Sequence, residues 1–294
     1  MCTEHPDRTG KLSGTLSPTV RRRRLAFELR RLREAAKLTC DDVAALLECS
    51  ASKISRIETA RVSVSPRDVR DLLNIYGVPD DQRDSLIHLA RESRQKGWWH
   101  AYGDSVQPHF ATYLGMESAA SEIRHFNVTR IPPLLETEDY AREVIAAGRM
   151  VSSLPGDDRS VELLMQRQRL AKASPPNIWA VLDEAALRRR VGGPDVMRAQ
   201  IEHLIELAAT PGTFLQIIPY RGGAHAGMDT PFVIMGFPDP ADADVVCVGY
   251  PTGVLWIEDI ADVHRYNMIF HHLQAAALSL DDSAALMISA LKEM

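Results

Sequence analysis

Ala51, Ser52, Lys53, Ser55 and Arg56 surround Ile54 and Ile57, and this spacing carries the strongest chemical signal in the chain. In a helix the two isoleucines turn inward, and the other five side chains form one short, polar, basic face. Such a face can enter a major groove, where cations and hydroxyls hydrogen-bond to phosphates and base edges. Other constellations carry less. Arg221–Gly227 (RGGAHAG) is a Gly-rich loop after an apolar run, without the Lys-Ser/Thr of a P-loop. His225 within it is a candidate base or ligand contact. Asp183 and Glu184 are adjacent carboxylates, but strand neighbours point to opposite faces, so they read better as the start of a helix. His264 and His271 share a helix face without a His-Glu-x-x-His pattern. Cys2, Cys40, Cys49 and Cys247 are scattered, with no Cys-x-x-Cys pair, and are expected as reduced thiols. The expectation is therefore no metal, no cofactor and no enzymatic activity.

The elements that would position the basic face read as about five short helices between Val20 and Ser93. The first carries Leu25, Leu29, Leu32 and Ala36 on one stripe, with Arg22 among the basic residues largely off it. The second starts at Thr39, where Asp42 completes a capping-box pattern, and buries Val43, Ala44 and Leu47. Ser50 caps the third. The fourth starts at Ser65-Pro66, buries Val69, Leu72, Leu73 and Tyr76, and ends at Gly77. The fifth buries Leu86, Leu89 and Ala90. The second and third helices, with a tight turn between them, form a helix-turn-helix.

Charge supports this division. Residues 1–100 hold 19 Lys+Arg against 14 Asp+Glu, while the remainder of the chain is acidic and the whole has a net charge of −5. A basic module on an acidic body suits a polyanion partner, and a solvated basic helix face is the alternative. Uncharged stretches such as Leu207–Tyr220 fall short of the roughly 18 residues a membrane span needs. With no apolar signal segment at the N-terminus, a cytoplasmic protein is expected.

The stretch Lys37–Arg61 (KLTCDDVAALLECSASKISRIETAR) resembles the Xre/Cro-type helix-turn-helix repressors. The resemblance implies that Ala51, Ser52 and Arg56 face bases, Arg56 as a bidentate guanine reader, with Lys53 and Ser55 near phosphates or base edges. Two departures stand out. Cys40 occupies the position where Gln usually touches the DNA backbone. Glu48 replaces a turn Gly, which costs strain if the backbone there is left-handed.

Residues 95–108 (QKGWWHAYGDSVQP) interrupt helical periodicity and read as a linker. Beyond it the pattern is helical from Phe110 to Ala173, interrupted at Ile131–Leu135. Strands are expected at Asn177–Leu182, Thr213–Pro219, Pro231–Phe237, Val245–Tyr250 and Gly253–Ile257, with further helices at Asp195–Ala208, Asp259–Leu278 and Asp282–Lys292. The fold class is thus an all-α N-terminal helix-turn-helix domain plus a larger α+β C-terminal domain with roughly five strands in one sheet. The domains run as a flexible tail (1–18), the DNA-binding domain (19–94), the linker (95–108) and a regulatory or partner-binding domain (109–294).

The larger part is similar to the C-terminal domain of the actinobacterial WhiJ-like regulators, a domain of unknown function. The resemblance rests on Gly97-Trp98-Trp99, Ile131–Ala141, Arg167–Leu170, Leu182–Arg188, Val191–Pro194, Gly222–Gly227 and Leu255–Asp259. It nominates Trp98, Trp99, Glu136, Tyr140, Arg167 and His225 as ligand- or partner-binding residues. The two tryptophans have packing of the linker as their alternative role. The implied function is sequence-specific transcriptional regulation. Double-stranded DNA, a second copy in a homodimer, a small protein encoded nearby and a small-molecule effector are the expected partners. An antitoxin-like or scaffold protein that sequesters the small partner is the alternative.

Overall fold

The computed structural model describes residues 17–148 and 157–294. Most of the expected N-terminal tail, with Cys2, lies outside the described residues. The chain divides into two compact units, Met1–Gln95 and Lys96–Met294.

The first unit contains α1 (Pro18–Ala35), α2 (Cys40–Leu46), α3 (Ala51–Glu58), α4 (Pro66–Ile75) and α5 (Asp80–Glu92). Short polar side chains start four of them. Ser17 accepts from the Thr19 amide, Ser50 from the Lys53 amide and Ser65 from the Asp68 amide. Thr39 and Asp42 form a full reciprocal capping box. Gly77 closes α4 at φ +69°, and the Val78 amide returns to the Leu73 carbonyl, a Schellman-type stop. Leu25, Leu29, Val43, Ala44, Ile54, Ile57, Val69, Leu72, Leu73, Ile87 and Ala90 make one core.

The second unit begins with 3-10 turns over Trp98–Ser105, inside the expected linker, followed by α6 (Pro108–Glu117). Then come β1 (Glu122–Asn127), α7 (Glu138–Gly148), α8 (Asp157–Ala173), β2 (Asn177–Asp183), α9 (Ala185–Arg188) and α10 (Pro194–Ala208). After these come β3 (Thr213–Ile218), β4 (Phe232–Gly236), β5 (Val245–Tyr250), β6 (Gly253–Ile257), α11 (Ile260–Ala276) and α12 (Leu280–Lys292). The described strands form one six-stranded sheet in the order β3-β2-β1-β4-β5-β6.

β1 corrects the reading of 110–173 as helical apart from an interruption at Ile131–Leu135. It is also the joint of the sheet, parallel to β2 and antiparallel to β4. Side chains alternate between its faces. Ile123 joins Ala180, Leu182, Leu215 and Ile217 under α10, α12 and Tyr140 of α7. Phe126 joins Val181, Ile218, Phe232, Ile234 and Val246 against Val263, Phe270 and Leu273 of α11. Among the described residues, no helix is long and apolar enough to cross a membrane.

Candidate nucleic-acid interface

The turn between α2 and α3 is tight because Glu48 takes a left-handed backbone conformation, φ +50°. The Cys49 amide donates to the Ala44 carbonyl at 2.9 Å, and buried Ala44 keeps the crossing of the two helices close. Ile54 and Ile57 face the core, as their spacing predicts. Ser52, Lys53, Ser55 and Arg56 are exposed and Ala51 is half-buried, so the expected polar face is present.

Two ion pairs fix this face. Arg33 of α1 donates Nε and Nη2 to the Glu58 carboxylate, each at 2.8 Å, and Nη1 to the Leu38 carbonyl at 2.7 Å. The Glu58 side chain is only 4% exposed, so this bidentate contact bolts the end of α3 to α1. The hydrogen bond to Glu58 is the main influence holding the Arg33 guanidinium above its ordinary pKa. Lys53 Nζ lies 3.2 Å from Asp68 Oδ2 at the start of α4. Neither Arg33 nor Glu58 is a site candidate from spacing alone, because they are 25 residues apart and belong to different periodic stripes.

The arginine-rich α1 is less free than its sequence suggests. Arg21 is buried, with Nε 3.3 Å from Glu92. Arg30 pairs with Glu34 and Arg31 with Glu28, each at 2.8 Å. Arg22 is half-buried, and desolvation lowers its pKa. Cys40 is the first residue of α2, half-buried against the core. Arg56, Arg61, Arg67 and Arg70, by contrast, are exposed and have no ion pair among the described residues. Of these, only Arg56 is a candidate from sequence. The others sit in the turn after α3 and in α4, off the exposed face of α3, and only their unpaired state marks them.

The candidates of the second unit serve its interior. Glu136 is fully buried, bound by Arg130 Nε at 2.7 Å. Gln168 donates to the backbone carbonyls of Pro133 and Glu136. Tyr140 is fully buried, and its hydroxyl accepts from the Ile131 amide at 3.3 Å. Arg167 is buried in a bidentate pair with Glu117 at 2.8 and 2.7 Å, 5.5 and 5.6 Å from the ring centres of Phe110 and Tyr113. Trp99 packs on Leu114 and Leu163, with Trp98 half-buried beside it. His225 lies on the other face of the sheet, edge-on to Phe126. Its Nδ1 accepts from the Gly227 amide at 3.3 Å, and Nε2 lies 3.5 Å from Asp183 Oδ2. Asp183 closes β2 and Glu184 is the N-cap of α9, as their placement at a helix start implies. His125 on β1 is buried with no partner at Nε2, and desolvation lowers its pKa to about 3.

Comparison with known proteins agrees with this division. Residues 24–86 match a family model described as a helix-turn-helix domain, and residues 110–289 match one described as a domain of unknown function, DUF5753. No curated protein and no solved structure matches the chain. The geometry of α2 and α3 is thus that of a helix-turn-helix domain, an architecture that binds DNA.

Proposed function

The chain belongs to the DUF5753 family, and with a helix-turn-helix domain ahead of that region we propose that it is a sequence-specific transcriptional regulator. In this reading α3 lies in the major groove of double-stranded DNA. Arg56 and Ser52 read base edges, with Ala51 against them. Lys53, Ser55, Arg61 and Arg67 meet the flanking phosphates. The Xre-type and WhiJ-like resemblances point the same way, and the reading places the protein in the cytoplasm. The observation that carries the reading is an exposed Arg56, without an ion pair among the described residues, on a helix bolted at its end by Arg33 and Glu58. A guanidinium held ready in this way suits bidentate contact with guanine.

The C-terminal domain serves dimerisation and the sensing of a ligand or a small protein partner, without catalysis of its own. His225, its best candidate base, is engaged by Gly227 and Asp183, and its side chain is 7% exposed. The test is fluorescence anisotropy on the DNA upstream of the gene, with scrambled DNA and Arg56→Ala alongside, at two salt concentrations. Tight, salt-sensitive binding to the upstream DNA alone, weakened by the substitution, supports the reading. Equal weak binding to both DNAs, unchanged in Arg56→Ala, contradicts it and favours a module that docks protein.

A further inference from the structure

The two faces of the sheet are covered unequally. α10, α12, Leu134, Leu135 and Tyr140 pack on one face. Among the described residues, only α11 supplies helical packing to the core of the other. A helix is about 10 Å wide, whereas strands about 4.8 Å apart make a six-stranded sheet roughly 24 Å wide. The corner farthest from β3 stays open. Tyr250 of β5 is 54% exposed and Leu255 of β6 is 53% exposed, and alternation places both on the α11 face.

β6 is also an outer strand. The turn joining it to β5 has two residues, Pro251 and Thr252, with Tyr250 opposite Gly253. Residues flanking such a turn exchange hydrogen bonds, so Leu255 and Ile257 bond inward to β5. The N–H and C=O groups of Val254 and Trp256 therefore point away from the sheet. No side-chain or loop hydrogen bond reaches them among the described residues. Natural edges are commonly guarded by charge, proline or a bulge. β6 holds neither a charged residue nor a proline, and the whole stretch 245–257 is uncharged in the acidic part of the chain.

We propose that the free edge of β6 is a dimer seam that pairs antiparallel with β6 of a second copy of this chain. The two-fold symmetry of the strand selects this occupant, and charge permits it. Two acidic bodies repel wherever their carboxylates meet, and this uncharged strip lets them approach without that penalty. The edge also complements itself. Around a two-fold axis Val254 bonds to the partner's Trp256 and Trp256 to the partner's Val254, which gives four backbone hydrogen bonds. Leu255 then lies opposite the partner's Leu255 in a close, non-hydrogen-bonded pair on the open face. The two sheets become one, with a two-fold axis of the kind that paired half-sites on DNA demand. The seam rests on the dimerisation proposed for the C-terminal domain, and its link to half-sites rests on the proposed DNA binding.

The test is sedimentation of the full chain without DNA over a range of concentrations, so that failure here leaves the DNA-binding reading untouched. Val254→Pro removes an outward donor without removing a bond to β5. Leu255→Glu sets like charges face to face. Leu280→Glu, at another exposed apolar position, is the control. We expect a wild-type dimer, at least tenfold weaker association in the two β6 variants with unchanged melting of the monomer, and no change in the control. A wild type that stays monomeric would overturn the proposal and leave the edge to a strand of another protein. So would β6 variants that dimerise as well as wild type, which would place the seam elsewhere.

Discussion

Arg33 and Glu58 hold α3 without belonging to its exposed face, so they and Arg56 should separate cleanly on mutation. Arg33→Ala leaves the Glu58 carboxylate buried without its partner, which costs about 3 kcal/mol in urea unfolding. Replacing both residues by Met should cost far less. Arg56→Ala, at an exposed position, should leave stability within about 0.5 kcal/mol and lower discrimination at one base pair by about 1–3 kcal/mol in competition anisotropy. Lys53→Ala should weaken all sequences alike and lower the salt slope by about 1. The exposed members of this site were legible, because Ile54 and Ile57 set the helix phase and leave Arg56 outside. The Arg33–Glu58 bolt was not, since pairing across 25 residues leaves no local periodicity. His125 makes a prediction of its own. It releases its proton near pH 3 when folded and near its ordinary 6.5 when unfolded. The unfolded chain thus binds the extra proton between those values, and stability is lost as pH falls from about 6.5 toward 3. His125→Leu should flatten that part of the melting-temperature profile relative to wild type.

Among elements, the turn between α2 and α3 has a sequence that works against its conformation, as do the turns after α1 and α3, where Lys37 and Ala60 stand at φ +59° and +55°. Glu48 sits at φ +50°, where glycine is easier, and brings a negative charge close to the proposed DNA face. Glu48→Gly should stabilise the unit by about 1 kcal/mol in thermal unfolding and tighten DNA binding at low salt. The starts of α2, α3 and α4 were legible, because Thr39, Ser50 and Ser65 each accept a backbone hydrogen bond near their own position, whereas the start of α1 at Ser17-Pro18 falls in the stretch expected as a tail. The later strands were legible from short apolar runs. β1 was not, for a physical reason. Its six residues, EIRHFN, bury Ile123, His125 and Phe126 but carry polar side chains at the other three positions. Its neighbours β2 and β4 supply the burial that makes it a strand. The buried Glu136 and Arg167 were noticed through resemblance, yet their pairing with Arg130 and Glu117 is a property of packing that spacing does not encode.

At the scale of the whole molecule, one eight-residue helix reads too little DNA to be selective, so an operator should contain two half-sites. Anisotropy should show a site with half-sites about 34 Å apart, one helical turn, bound more tightly than either half alone. Moving them by half a turn, roughly 5 base pairs, should abolish the gain. The mixed sheet has a consequence of a different kind. β1 joins the parallel part of the sheet to the antiparallel part, but its partner β4 begins only at Phe232. A ribosome adding 5–20 residues per second needs on the order of ten seconds to travel from one to the other. Throughout that interval the future centre of the sheet is an outside strand on a nascent chain. Newly made copies are then most vulnerable to mispairing between neighbouring polypeptides, and slower translation of this stretch should lower the soluble yield.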